Sequence, residues 1–151
     1  MKQIATALIF LLSALATRAQ NGDSIKPRLN HIALSVVNLR ESTEFYRDII
    51  GLDTIPEPFR DGRHTWFSIG PLIHLHLIAD ARDKGDHARN THTCFTVPSV
   101  EAFVNRLEKY GLAYFDRDGV KGKITARVDG VKQIYLKDPD GYWVEINDAR
   151  W

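Results

Sequence analysis

The stretch that decides the fold is residues 137–146, which read Lys-Asp-Pro-Asp-Gly-Tyr-Trp-Val-Glu-Ile. Its first half predicts a tight turn, because Pro presets φ, Asp hydrogen-bonds its own backbone and Gly accepts a positive φ. Its second half predicts a short strand whose side chains alternate between two faces. Val144 and Ile146 then lie on one face, and Trp143 and Glu145 on the other. The second face therefore carries a carboxylate that needs a partner elsewhere in the chain.

A second alternating stretch, at residues 29–36, opens the folded part of the chain. Apolar residues alternate there with His31 and with small residues, which predicts a strand with one polar face. Asn38 and Glu41 follow at the spacing of a capping box, and Gly51 ends the helical apolar pattern. The sequence therefore predicts a strand followed by a helix.

Three further strands complete a first module. In the last of them, Leu and Ile alternate with His74 and His76. The order is therefore βαβββ. The segment 79–90 is charged and has no apolar period, so it is predicted to be a solvated connector. The three strands are predicted at residues 52–55, 64–69 and 72–78, and module one spans residues 29–78.

The pattern then restarts at His92, which, like His31, is followed by small residues two and four positions later. A helix comes next, with Ser99 as its cap and Gly111 beyond its end. Two copies of one pattern indicate a duplication. The predicted fold is α+β, with two βαβββ modules that form a cup-shaped mixed sheet and carry their helices on the outer face. Module two is predicted at residues 91–147, with strands at 92–97, 112–115, 131–136 and 142–146 and a loop at 116–130 that could hide a strand at 124–128.

The inner faces of the two modules carry residues that can bind a metal. His31 and His92 occupy matching strands, as do His76 and Glu145. Three imidazoles and one carboxylate suit one divalent ion, Zn²⁺, Ni²⁺, Fe²⁺ or Mn²⁺, with positions left for substrate. His76 fits the strand register better than His74, which would then support the ligands or face the substrate.

Composition describes an ordinary single-domain protein, since 44% of the 151 residues are hydrophobic and 26% are charged. The 20 basic residues are nearly balanced by 19 acidic ones, which argues against a nucleic-acid partner. Cys94 is the only cysteine, so an internal disulfide is impossible. As a lone thiol it is predicted to be a small core filler rather than a nucleophile.

The first residues predict a secretory signal peptide. A positive charge precedes the apolar residues 4–16, and Ala19 ends a stretch suited to cleavage. We predict a signal peptide at 1–19, a polar linker at 20–28 and a domain at 29–151 that is secreted or periplasmic and free of the membrane after cleavage. An uncleaved anchor is the alternative, although the apolar stretch is short for a membrane span, which needs about 20 residues.

Several motifs of the chain occur together in one known superfamily: residues 31–36, Phe45-Tyr46 and Gly51-Leu52 near the helix end, the turn at 138–141 and Val144-Glu145-Ile146. They resemble the vicinal oxygen chelate superfamily, which includes glyoxalase I, fosfomycin resistance proteins and extradiol dioxygenases. The resemblance covers residues 29–147. It implies an open cup in which His31, His92 and Glu145 hold a divalent metal that substrate oxygens chelate.

The resemblance implies a glyoxalase I-like lyase or isomerase, of the lactoylglutathione lyase type, as the leading function. There the metal polarises the oxygens of a hemithioacetal, and a carboxylate, here Glu145, moves a proton between adjacent carbons. Glyoxalase I usually carries a second glutamate in the last strand of its first module. This chain offers His74 and His76 there instead.

Three alternatives stay open. An extradiol-type dioxygenase would use Fe²⁺ on the same two histidines and one carboxylate. A fosfomycin-type resistance enzyme would need cations for a phosphonate, for which Arg63 and Arg127 are candidates. A protein that binds a small molecule without turnover would line its cup with aromatic residues such as Trp143. In each case the partner is a small molecule, and the modules could pair within one chain or across a homodimer.

Overall fold

The computed structural model describes residues 26–150. The predicted signal peptide and most of the predicted linker lie outside these residues, as does Trp151. No helix within residues 26–150 is long and apolar enough to cross a membrane.

Module one has the predicted order of a strand, a helix and three strands. Its helix begins at Leu39 because the Asn38 side chain caps it, accepting a hydrogen bond from the Glu41 N–H at 3.2 Å. The helix then widens into a π-helical segment whose large apolar side chains are buried. The elements are β1 (His31–Ser35), α1 (Leu39–Glu44) with its π-helical continuation (Phe45–Ile50), β2 (Thr54–Ile55), β3 (His64–Gly70) and β4 (Ile73–Ile78).

Module two repeats this order. Ser99 caps its helix, and the Ser99 hydroxyl accepts a hydrogen bond from the Ala102 N–H at 3.2 Å. The elements are β5 (His92–Thr96), α2 (Val100–Lys109), β6 (Thr125–Ala126), β7 (Lys132–Lys137) and β8 (Trp143–Asn147).

The predicted strand at residues 112–115 is wrong. Only Phe115 pairs there, through two backbone hydrogen bonds of 2.8 Å with Tyr135. Tyr114 is buried in the core, and its hydroxyl donates to a carbonyl of the following loop at 3.3 Å. The loop therefore folds back, and the sheet edge is formed by β6, which lies within the stretch 124–128 where the sequence allowed a strand.

The strands form two four-stranded mixed sheets with equivalent orders, β1-β4-β3-β2 and β5-β8-β7-β6. The first and last strands of each module are parallel neighbours, and the other pairs are antiparallel. In the parallel pairs, Ala33 lies opposite His76 and Cys94 lies opposite Glu145. Both Ala33 and Cys94 follow the opening histidine of their strand by two residues. His76 and Glu145 therefore occupy equivalent positions in the two modules.

One hydrophobic core joins both modules. The apolar faces of both sheets and the buried faces of both helices contribute to it, while the alternate residues of each strand point to the opposite face. The α+β class with two βαβββ modules is thus confirmed. Fully buried members of the core include Val36, Tyr46, Leu75, Leu107 and Ile146.

A buried polar contact also joins the modules, at the turn of residues 138–141. The Asp140 carboxylate accepts hydrogen bonds from the Val37 N–H at 2.7 Å and from the Ser42 hydroxyl at 2.5 Å. Asp138 accepts one from the hydroxyl of a buried tyrosine of module one at 2.9 Å. The turn that precedes β8 therefore fixes module two against the start of α1.

Candidate functional site

On module one, histidines and a tryptophan share the inner face of the sheet. The His76 ring is stacked between two others, with ring centroids 4.4 Å away at His31 and 3.9 Å away at Trp66. The Nε2 atom of His76 and the Nε1 atom of Trp66 are buried and have no hydrogen-bond partner among residues 26–150. A buried nitrogen without a partner is energetically unfavourable, so a ligand that pairs with either atom would remove this cost.

A cavity of about 520 Å³ opens on this face of module one. Phe59 and His64 line it together with the stacked rings. The ring centroids of these two residues are 4.6 Å apart. The cavity walls are thus mostly flat aromatic and imidazole rings.

On module two, His92 and Glu145 form the corresponding pair, with Nε2 of the histidine 3.1 Å from Oε2 of the glutamate. Glu145 is buried and accepts hydrogen bonds from Tyr135, from Cys94 and, at 3.1 Å, from the Asn147 amide. Burial alone would raise the pKa of Glu145, but these bonds and the imidazole hold the pKa below its ordinary value. The carboxylate is therefore ionised at neutral pH.

The opening histidines of both modules are oriented through Nδ1. This atom lies 2.7 Å from the Asn30 Oδ1 atom in His31, and 2.8 Å from the Arg89 carbonyl oxygen in His92. A carbonyl oxygen only accepts, so Nδ1 carries the proton and Nε2 holds a lone pair in the neutral ring. Metal-binding histidines are commonly fixed in this way. Both rings thus present Nε2 as a possible ligand atom.

The distance within the pair on module two fits a divalent ion. A nitrogen and an oxygen that each lie about 2.0–2.2 Å from a metal are separated by about 3.0 Å at an octahedral angle and by about 3.4 Å at a tetrahedral one. The 3.1 Å between Nε2 of His92 and Oε2 of Glu145 lies between these separations. The donor set of this pair therefore suits a first-row metal.

The two pairs do not meet within one chain. In the part of the chain that the structure describes, no group of three or more His, Cys, Asp or Glu side chains is arranged to hold a metal ion. We call the two pairs the His31–His76 half-site, on the first sheet, and the His92–Glu145 half-site, on the second. The four-ligand set stays a prediction, with its members divided between two surfaces.

Two of the residues predicted to support the site lie beside these half-sites. His74 is close to the His31–His76 half-site, with its ring centroid 6.1 Å from that of Trp66. Trp143 precedes Glu145 by two residues on β8, and its indole N–H donates to the His87 carbonyl at 2.9 Å. Their roles toward substrate stay predictions.

The two predicted cations differ in their surroundings. Arg127 pairs with Asp129 at 2.6 Å, and its positive charge partly opposes the rise in the pKa of the Cys94 thiol, which places it toward the His92–Glu145 half-site. Arg63 is exposed just before β3. A role for either residue in anion binding stays a prediction.

Sequence reasoning missed Tyr135 and Arg89. Tyr135 lies opposite Glu145 in the β7–β8 pair, and its ring centroid is 5.4 Å from that of His92. Burial and the hydrogen bond to Glu145 raise the pKa of Tyr135 to about 12, so the hydroxyl keeps its proton and donates. The alternation of β7 against β8 was the signal that could have identified Tyr135.

Cys94 is exposed to solvent, so the prediction that it is a small core filler is wrong. Desolvation of the sulfur and the Glu145 carboxylate raise the pKa of the thiol to about 12, which offers a test of this geometry. In metal-free protein at pH 8 we expect iodoacetamide to alkylate Cys94 about a thousandfold more slowly than in urea-unfolded protein, because the thiolate is the reactive form. Mass spectrometry over time measures both rates.

The controls for this labelling experiment are two glutamate variants. Glu145→Gln should speed the native reaction, since it removes the negative charge beside the sulfur. Glu101→Gln, on the exposed surface of α2, should leave it unchanged. Equal labelling rates in native and unfolded wild-type protein would contradict the placement of Cys94.

A family profile described as the Glyoxalase/Bleomycin resistance protein/Dioxygenase superfamily matches residues 28–146. Lactoylglutathione lyase from Pseudomonas putida is 28% identical over 151 residues, covering 78% of this chain and 82% of that protein. Metallothiol transferase FosB from Staphylococcus haemolyticus is 30% identical over 125 residues, covering 79% of this chain and 81% of that protein. A glyoxalase family protein from Bacillus anthracis, known from a crystal structure, has a TM-score of 0.62 at 26% identity, covering 83% of this chain and 97% of that one.

Proposed function

The chain belongs to the Glyoxalase/Bleomycin resistance protein/Dioxygenase superfamily, and we propose on this premise that it is a metal-dependent enzyme of the glyoxalase type. Membership of this superfamily confirms the resemblance that the sequence motifs indicated. The proposed reaction is a lyase or isomerase step on a small molecule with two neighbouring oxygens. The observation that carries the proposal is the His92–Glu145 half-site, where an imidazole nitrogen and an ionised carboxylate lie 3.1 Å apart.

We propose that a second copy of the chain completes the metal site. Within residues 26–150 of one chain, the two half-sites lie on separate sheets and form no common cluster. In a twofold dimer, the His31–His76 half-site of one protomer can face the His92–Glu145 half-site of its partner, and the symmetry repeats this contact. Each dimer would then contain two sites of four ligands.

In this proposal His31, His76, His92 and Glu145 hold one divalent ion, Zn²⁺, Ni²⁺, Fe²⁺ or Mn²⁺. Such a cation supplies polarisation of the substrate oxygens and stabilises the negative charge that develops when a carbon loses its proton. Burial, with His31 and His74 nearby, lowers the pKa of His76, so this ring is neutral at pH 7. A neutral ring is the form that binds a metal.

Glu145 is the residue proposed to move the proton. Its lowered pKa keeps it ionised, so one oxygen can accept a proton from a substrate carbon and return it to the neighbouring carbon. Tyr135 donates to Glu145 and thereby orients the carboxylate. His76 occupies the position where the resemblance leads us to expect a second glutamate. Glu145 is therefore the single carboxylate of the proposed site.

The proposed activity predicts turnover of methylglyoxal together with a thiol. Because the predicted export separates the protein from cytoplasmic glutathione, the ultraviolet assay of thioester formation should use a panel of small thiols with Ni²⁺ or Zn²⁺ added. We expect metal-dependent turnover that falls at least about 100-fold in Glu145→Gln, since a positioned base contributes this much or more. Glu101→Gln should keep the wild-type rate. No turnover with any thiol would contradict a glyoxalase-type reaction.

Ring cleavage of a catechol by a dioxygenase mechanism is the second candidate. The observation that favours it is the cavity next to the His31–His76 half-site, whose flat walls include Phe59 and Trp66. Planar aromatic molecules pack well against such rings. Oxygen uptake with catechol by Fe²⁺-loaded protein, absent from Glu145→Gln, would favour this candidate over the first.

A further inference from the structure

Arg89 lies near the end of the connector, three residues before His92. Its guanidinium carbon is 5.8 Å from the ring centroid of Tyr135 and 5.7 Å from that of Trp143. Aromatic rings attract and orient a planar guanidinium in this way. Its backbone carbonyl accepts the hydrogen bond from Nδ1 of His92. Contacts with Tyr135, Trp143 and His92 therefore hold Arg89 beside the His92–Glu145 half-site.

The Arg89 guanidinium has no acidic partner among residues 26–150. Two other cations of module two are paired, Arg127 with Asp129 at 2.6 Å and Lys137 with Asp86 at 3.0 Å. Arg89, which is half-buried, takes part in none of the ion pairs of the described residues, and its guanidinium makes none of their hydrogen bonds. Its five N–H donors therefore remain available as a fork for an oxyanion.

A backbone turn covers the guanidinium on another side. Gly119 has a φ of +87°, and a Cβ added there would lie 3.0 Å from the Nη1 atom of Arg89. Any other residue at this position would strain the backbone and crowd the guanidinium. The guanidinium is therefore bounded by a glycine backbone and by two aromatic rings.

Tyr135 links Arg89 to the residues proposed to react. Its ring contacts the guanidinium, its centroid is 5.4 Å from that of His92, and its hydroxyl donates to Glu145. Tyr135 thus lies against both the guanidinium and the His92–Glu145 half-site. A single small molecule can contact both.

We propose that Arg89 binds an oxyanion of the substrate, a carboxylate, phosphonate or phosphate group, in addition to the two oxygens at the metal site. The substrate, or the thiol adduct that reacts, then carries an anionic group besides the two oxygens at the metal site. The inference rests on the proposed function for the place of the reacting atoms. The anion site itself needs only residues of one chain.

The test uses methylphosphonate and its neutral dimethyl ester, which are both visible by phosphorus NMR. Each is titrated into the full chain as purified and after treatment with EDTA. We expect methylphosphonate to bind wild-type protein saturably in both states and at least about tenfold more weakly to Arg89→Gln, since a charge-assisted hydrogen bond is lost. The His92 Nδ1–H donates to the backbone carbonyl of residue 89, which the substitution keeps, so the half-site persists in this variant.

The matched control is Arg82→Gln, an exposed position in the same connector, which should bind methylphosphonate as wild type does. The neutral ester should not bind. Equal affinity of wild type and Arg89→Gln in the EDTA-treated state, or no binding by wild type, would overturn the anion site. Because that state contains no metal, this result is distinguishable from a failure of the metal-dependent function, which metal analysis reports separately.

Discussion

Glu145→Gln is expected to lose the bound metal. The substitution keeps the shape of the side chain but removes the charge that faces Nε2 of His92 at 3.1 Å. Loss of a residue that only supports a ligand weakens metal binding about 10- to 100-fold, so loss of a ligand should cost at least about 100-fold. Natively purified wild type should contain nearly one first-row metal per chain by mass spectrometry, and the variant little.

Glu101→Gln is the matched control for this experiment. Glu101 is an exposed glutamate on α2 that pairs with Lys132, so its loss removes the same charge at a distance from both half-sites. It should keep the wild-type metal content. Full metal occupancy in Glu145→Gln would show that Glu145 is no ligand.

A heterodimer tests whether the site is completed by a second chain. One protomer would carry His31→Ala with His76→Ala, and the other His92→Ala with Glu145→Gln, on two different affinity tags. In the proposed arrangement, the intact half-sites of the two protomers meet in one of the two sites. The purified heterodimer should therefore bind about one metal, against about two for wild type and none for either homodimer. A metal-free heterodimer would contradict a site shared between chains.

The face that each candidate ligand occupies could be predicted from the sequence. Apolar and polar residues mostly alternate along β1, β4, β5 and β8, and a strand with a period of two leaves little choice of face once its apolar side is buried. The duplication then aligned His76 with Glu145, and the strand registers agree with that alignment. These features depend on local pattern, which a single sequence contains.

Whether the two inner faces meet could not be predicted in the same way. It depends on how the modules dock, and the contacts that fix the docking join residues about a hundred positions apart, such as Val37 and Asp140. Periodicity carries no information on such contacts. The sequence therefore predicts four candidate ligands on inner faces, but it does not predict that they are divided between two half-sites.

Arg89 was missed because the connector reads as solvated. The connector is held against module two at the turn before β8, where the Gly85 N–H donates to the Asp140 carbonyl at 3.0 Å. Gly141, with a φ of +90°, permits this approach, since a Cβ there would lie 2.0 Å from the Gly85 carbonyl oxygen. The sequence shows only a charged segment and a distant turn that contains glycine. The contact between them, which places Arg89 beside module two, is visible only in the structure.

Asp140→Ala is expected to destabilise the fold strongly. Asp140 is 2% exposed, and its carboxylate accepts hydrogen bonds from the Val37 N–H and the Ser42 hydroxyl of module one. Each bond to a charged acceptor contributes about 1.5–3 kcal/mol, and alanine leaves the buried Ser42 hydroxyl and the Val37 N–H without this partner. We therefore expect the free energy of unfolding in urea to fall by about 3 kcal/mol or more.

A double-mutant cycle isolates the contact between the modules. Ser42→Ala removes one donor, so Asp140→Ala and Ser42→Ala together should cost less than the sum of the single variants, with a coupling of about 1–3 kcal/mol. Asp118→Ala, at an exposed turn, should leave the urea midpoint unchanged. If the losses of unfolding free energy in Asp140→Ala and Ser42→Ala were simply additive, this would contradict the hydrogen bond between the two side chains. A loss of metal in Asp140→Ala while the chain remains folded would show that this turn also sets the relation between the two half-sites.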